Sequence, residues 1–168
     1  AKVKKDEDVT VGGLVFTGIK GLKAELWDFY QPNILNNLYF KGTYKKEIKK
    51  GLSVWGDIRY LDQKDVGDNL AGALETYMFG FRTGVLAYGL SIRLAYSKIG
   101  DQAILRPWGH DLAIQNQVLG CSRADEDAVM AMLGYDFSKV GLKGLSSYVL
   151  YAYFDAPDNG PTASVDRK

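Results

Sequence analysis

Hydrophobic residues recur at every second position along most of the chain. One row runs Leu22, Ala24, Leu26, Asp28, Tyr30; a second runs Leu52, Val54, Gly56, Ile58, Tyr60. A third runs Leu90, Ile92, Leu94, Tyr96, and a fourth Leu145, Ser147, Val149, Tyr151, Tyr153. Successive side chains of a strand point to opposite faces, so each row predicts a strand whose one face is apolar and closes on Tyr. The interleaved positions Lys23, Glu25, Trp27; Ser53, Trp55, Asp57, Arg59; Ser91, Arg93, Ala95, Ser97; and Ser146, Tyr148, Leu150 make a second, largely polar face. Segments leading into the turns behave alike: Leu38, Phe40, Gly42, Tyr44 alternate with Tyr39, Lys41, Thr43, Lys45, and Val129, Ala131, Leu133, Tyr135, Phe137 form another apolar row. Residues 73–83 are less regular, with Tyr77, Phe79 and Phe81 opposed to Met78, Gly80 and Arg82, and Glu75 interrupting the apolar side. The first strand, 9–17, has no decisive phase. The pattern predicts about eight strands of roughly nine to twelve residues, longer than the usual five or six.

Gly-Leu opens a strand four times, at Leu22, Leu52, Leu90 and Leu145, with spacings of 30, 38 and 55 residues. A solenoid would hold its period; constant punctuation at unequal spacing predicts an antiparallel up-and-down meander. Turns near Ile19, Lys49, Val85 and Gly141 are expected to be short. The opposite connections, 31–36, 62–72, 98–125 and 155 onward, are expected to be longer, being richer in Pro, Asn and Asp. Short turns on one side and long loops on the other, joined by strands of bilayer-crossing length, are the pattern of an outer-membrane barrel. On that basis 1–168 is a single β-barrel segment and 98–126 its long extracellular loop. Within that loop the near-helical spacing of Leu112, Ile114 or Gln115, Val118 and Leu119 predicts a short helix.

Alternation alone does not say which face is outside. A soluble lipocalin-like barrel would turn Leu52, Val54, Ile58 and Leu94 toward a small ligand and leave Arg59 and Arg93 in water. A membrane barrel would turn the same apolar row to lipid and the charges to an aqueous lumen. Three features favour the membrane. Tyr30, Tyr60, Tyr96 and Tyr153 stand at the loop end of the apolar rows, where an interfacial girdle places amphipathic rings. The strands are long, and the rows are slender, with Ala24, Gly42, Gly56 and Ala131 in them.

Composition narrows the classes further. The 168 residues are 46% hydrophobic, too apolar for disorder, and 21 Lys+Arg against 20 Asp+Glu leave a net charge of +1, which excludes an electrostatic nucleic-acid binder. The longest apolar run, AVMAMLGY, is less than half of the roughly 18 residues a spanning helix needs. The single Cys121 excludes an intramolecular disulfide and nothing marks it as reactive. His110 has no partner at metal or nucleophile spacing; Asp125, Glu126 and Asp127 with Asp101 or Asp111 lack an EF-hand pattern and read as a solvated loop. Gly12-Gly13 and the 141–144 glycines lack a strand–loop–helix setting for phosphate. No catalytic set, metal or cofactor is expected.

The stretch GLSVWGDIRYLDQKDVGDNLAGALETYMFGFRTGVLAYGLSIRLAYSKIGD resembles the later strands of OprD-type outer-membrane porins, and MLGYDFSKVGLKGLSSYVLYAYFDAP resembles their penultimate hairpin. The order YDF, short turn, GL, strand is the most specific element. The resemblance implies a barrel of about eighteen strands, of which this chain, ending at TASVDRK where a final strand would begin, is the C-terminal portion. It implies outer-membrane lipid as surroundings and passive diffusion of small anionic or zwitterionic solutes, carboxylates or amino acids. The constriction loop that the family places earlier is not identifiable here. The family's basic ladder carries over to Arg59, Arg82 and Arg93, and with less matching context to Lys23 and Lys41. Glu25 and Asp57, with Asp136, are the opposite charges of the lumen face, and cross-strand pairing with them is the plainer alternative for the same cations. The phase assignment predicts that Ile58→Arg destabilises the barrel. It predicts that Arg59→Ala leaves folding nearly intact and lowers anion preference.

Overall fold

The computed structural model describes residues 8–70, 72–106, 111–115, 119–158 and 164–167. Eight strands form one antiparallel sheet in chain order, each paired with the next. They are β1 (Thr10–Phe16), β2 (Leu22–Gln31), β3 (Leu35–Lys49), β4 (Leu52–Lys64), β5 (Glu75–Ala87), β6 (Leu90–Ile99), β7 (Asp127–Asp136) and β8 (Ser146–Asp155). The sheet is an open one, with β1 and β8 as its edges. Strand length is less even than the alternation suggests, from seven residues in β1 to fifteen in β3. The three middle strands are longest because their pairing continues past the aromatic rows, through Asn36↔Lys64 and Lys64↔Glu75.

The Gly-Leu punctuation has a backbone cause. Gly21, Gly51, Gly89 and Gly144 all have positive φ, and β2, β4 and β6 open on the following Leu. Lys50–Gly51 and Tyr88–Gly89 are two-residue turns, and in the second, between Ala87 and Leu90, both residues have positive φ (49° and 98°). That backbone twist matches the twist of the flanking strands. The turn expected near Val85 is therefore three residues later, and Val85 pairs with Ile92 inside the ladder. At the fourth Gly-Leu, Asp136 caps a 3-10 turn, Phe137–Val140, and β8 opens one residue after Leu145, at Ser146. The connection at 31–36, expected to be long, is only Pro32–Ile34, since Gln31 already pairs with Leu35. Pro32 presets its own φ, and Asn33 adopts φ 59°, which together reverse the chain at once.

Burial separates the two faces. Ile58, Leu94 and Val149 of the apolar rows are 43%, 53% and 73% exposed, while Arg59 and Gln63 of the interleaved row are wholly buried. This is the reverse of a soluble barrel, and exposed large apolar side chains occur on all eight strands, where soluble monomers rarely leave a broad apolar patch open. The loop-side part of the polar face is buried because the described parts of the 100–126 connection fold back over it. Ile104, Leu112, Ile114 and Cys121 pack against Tyr39, Leu61, Met78, Ala95, Ile99, Met130 and Phe154 on the strands. The core thus occupies the loop-side half of the inner face; the turn-side half is uncovered. The expected helix is not present in the described parts of 111–120. Gln115 and Gly120 form an antiparallel bridge, and Cys121 N–H donates to Ile114 O at 3.1 Å. Apolar residues at near-helical spacing are satisfied here by docking on the wall instead; Val118 lies outside the described residues.

Candidate functional site

The charged residues singled out from sequence share the inner face, but their surroundings divide them. Arg59 reaches up from β4 beneath the folded-back connection. Its Nε donates to Asp57 Oδ1 (2.8 Å), its Nη1 donates to the carbonyls of Asp111 (2.8 Å) and Leu112 (3.0 Å), and it pairs with the Asp111 carboxylate. Lys41 on β3 holds the other Asp111 oxygen at 2.6 Å, and Arg82 on β5 holds Asp57 Oδ2 at 2.7 Å. Lys41, Asp111, Arg59, Asp57 and Arg82 therefore form one alternating chain of three cations and two carboxylates. Burial alone would raise the Asp111 pKa, but hydrogen bonds and charge from Lys41 and Arg59 outweigh it and hold the carboxyl below its usual range.

Two further contacts seat the connection. Gln63 donates to Asn37 Oδ1 (2.8 Å) and Leu105 O (2.9 Å) and accepts from Leu105 N–H (2.8 Å). Gly80 lies directly under Ala113, and a Cβ at position 80 would overlap the Ala113 Cβ. Alternation does not reveal this role of Gly80 and Gln63; a lone Gly in a strand interior is the signal that another backbone approaches there.

Lys23 pairs with Glu25 at 2.5 Å within β2, along one strand rather than across two. Arg93 differs from the rest: among the described residues it meets no carboxylate, and its guanidinium rests over the Trp55 ring, 5.4 Å from the centroid. Arg82 and Arg93 border an open recess of about 660 Å³ whose other walls include Met130, Met132, Tyr148, Leu150 and Asp111. Asp136, counted among the lumen charges, caps the 3-10 turn and accepts from Ser138 N–H at 2.9 Å.

Tyr30, Tyr60, Tyr96 and Tyr153 all stand on the opposite, apolar face. Tyr60 is level with Phe40 and Phe79 and stacks on Tyr77 with centroids 6.2 Å apart. Tyr96 is level with Phe81 and Val129, and Val129 with Tyr153. Their hydroxyls donate to carboxylates, Tyr96 to Asp127 and Tyr153 to Asp166, both at 2.5 Å.

At the loop end, Glu126 is not a solvated acid. It is fully buried and accepts from Ser122 N–H (2.8 Å), Arg123 N–H (2.9 Å), Arg123 Nε (2.8 Å) and Arg167 Nη2 (2.8 Å). Its burial would raise its pKa, but these donors lower it overall. A carboxyl whose folded pKa is depressed adds stability that is complete above its unfolded value and is lost as pH falls through the folded one. The thermal midpoint in detergent is expected to fall as pH drops below about 4. Glu126→Gln is expected to melt earlier at neutral pH and to show a shallower decline in acid; an unchanged decline would remove Glu126 from this account. The neighbouring Cys121 thiol is buried, which pushes its pKa up to about 12, so it is inert. Among the described residues no group of His, Cys, Asp or Glu is placed to hold a metal ion, and His110 lies outside them.

The fold recurs in solved porins. Pseudomonas aeruginosa OpdL is 20% identical over 92% of this chain and 44% of its own, with a TM-score of 0.83. A BenF-like porin from Pseudomonas fluorescens Pf-5 is 17% identical over 87% of this chain and 39% of its own, with a TM-score of 0.81. Pseudomonas aeruginosa OpdK, in a crystal structure with vanillate, is 16% identical over 99% of this chain and 50% of its own, with a TM-score of 0.84. The chain thus spans half or less of the length of these relatives. No curated protein matches the sequence. The model of the outer membrane porin, OprD family, matches residues 1–162. With the apolar face outward, the charged face inward and the eight-strand meander between them, this chain belongs to the OprD family of outer-membrane porins.

Proposed function

We propose that the chain forms part of the wall of an outer-membrane channel for passive diffusion of small carboxylates or amino acids. The observation that carries this is uncompensated positive charge on the inner face: Arg93 has no carboxylate partner among the described residues, and the Lys41–Arg82 chain has one cation in excess. A fixed cation on a low-dielectric wall lowers the cost of moving an anion past it. The recess beside Arg82 and Arg93 offers apolar contact from Met130, Met132 and Leu150 for the rest of the solute. OpdK's association with vanillate, a carboxylate, agrees with such a path. Lys23, Lys41, Glu25, Asp57 and Arg59 belong to the same wall with their charges largely cancelled, and Tyr30, Tyr60, Tyr96 and Tyr153 mark its lipid interface. Liposome swelling tests the proposal. Uptake of potassium benzoate through the native channel is expected to exceed that through Arg93→Ala, with uptake of a neutral sugar equal in both. Equal benzoate uptake would overturn the assignment of Arg93 to the solute path.

A further inference from the structure

The cross-strand row at Arg93 has an unusual composition. Trp55 on β4 pairs with Gly84 on β5, and Gly84 pairs with Arg93 on β6. All three face inward. Strands lie about 4.8 Å apart, so Trp55 and Arg93 start from backbones nearly 10 Å apart, with no side chain between them. The indole fills that gap by lying across the glycine: a Cβ at position 84 would come within 2.6 Å of Trp55 Nε1 and 2.8 Å of Trp55 Cε2. From there the ring meets both cations of the recess, Arg93 at 5.4 Å and the Asp57-paired Arg82 at 5.9 Å from its centroid. Thr83 fixes the base of the arrangement, its hydroxyl donating to Trp55 O at 3.0 Å.

We propose that Trp55 is a positioning residue for anion selectivity: its indole, seated on Gly84, holds the Arg82 and Arg93 guanidiniums side by side at the wall of the recess. The inference rests on the channel proposed above. A guanidinium keeps its N–H donors in its own plane, so a ring contact occupies none of them; for Arg93, which meets no carboxylate among the described residues, they stay available to a solute carboxylate. Arg82 is also held by Asp57, so without the ring it is Arg93 that loses its seat beside Arg82 and regains its rotamers. Among the described residues Arg93 Nε is buried without a hydrogen-bond partner, which leaves the contact with Trp55 to hold this side chain.

The test is the reversal potential of the native channel in a potassium chloride gradient, in planar bilayers, for wild type and substituted forms. Arg93→Ala measures the contribution of the charge itself and is expected to lower the anion-to-cation permeability ratio. Trp55→Leu, apolar but without a π face, is expected to lower the ratio by about two- to fivefold, the range of one exposed cation–π contact. Site-specific 4,5,6,7-tetrafluorotryptophan at position 55 keeps the shape and removes the ring's negative face. It is expected to shift the ratio in the same direction, and it covers the case in which the Leu variant fails to assemble. A ratio unchanged by the fluorinated ring, with Arg93→Ala lowered, would overturn the role of Trp55 and leave the channel proposal standing. A ratio unchanged in Arg93→Ala would overturn both.

Discussion

Arg59→Ala is expected to destabilise the native channel by about 3 kcal/mol, the lower end of what removing one partner from a buried ion pair costs. The side chain is wholly buried, and four acceptors depend on it: the carboxylates of Asp57 and Asp111 and the carbonyls of residues 111 and 112. Asp57 keeps Arg82 and Asp111 keeps Lys41, which moderates the loss. The two carbonyls keep nothing equivalent, and the alanine leaves a void under Leu112. Periodicity alone makes Arg59 a lumen charge whose removal is silent for folding. The folded-back connection reverses that expectation, because the residue faces the interior but lies under the segment that covers it. Urea unfolding followed by tryptophan fluorescence measures the effect. Arg59→Lys, which keeps the charge but not the fork that spans carboxylate and carbonyl, is expected to fall between the two. A loss below about 1 kcal/mol would match an exposed pair and contradict the burial of Arg59.

The strands were legible because their signal is local. A two-residue period over nine or more positions places Ile58 and Arg59 on opposite faces whatever the rest of the chain does, and Gly-Leu marks the turns because a positive φ is needed one residue before the strand. Expectation and structure part where a local signal has two solutions. A short turn near Val85 is displaced to Tyr88–Gly89, where both residues take positive φ. Leu112 and Ile114 fit a helix or a segment docked on a wall by their spacing, and both pack on the wall. The site was legible only as a list of charges. Which of them cancel depends on Asp111, which is 52 residues from Arg59 and 70 from Lys41 in sequence, and on a loop-to-wall contact that has no period. In the alternation Trp55 is one apolar member of a largely polar face. Its meaning lies in Gly84, two strands of register away from Arg93's own row partner Met132.

Ile58→Arg is expected to destabilise the channel by about 2 kcal/mol, and the depth of the residue sets that value. Ile58 sits on the outward face, paired with Gly42 on one side and Phe81 on the other. It is two residues from Tyr60, which at roughly 3.3 Å per residue and a strand tilt of about 40° puts it some 5 Å below the aromatic level. Arg on the lipid face costs about 2–4 kcal/mol at the midplane and about 0–1 kcal/mol near the interface. Position 58 lies between these limits, and Gly42 beside it leaves little side-chain cover for a guanidinium. Arg can reach the aromatic level only by extending along the strand past Tyr60. Tyr60→Arg is therefore expected to cost under about 1 kcal/mol, while Ile58→Arg costs more, although both replace exposed apolar residues on one strand. In a soluble protein of the same shape the two substitutions would be equally harmless, because exposed Arg is at home in water. Folding free energies of the two variants in lipid bilayers distinguish the cases: a difference that follows depth identifies the face as lipid-covered, and two silent substitutions would show that water covers it.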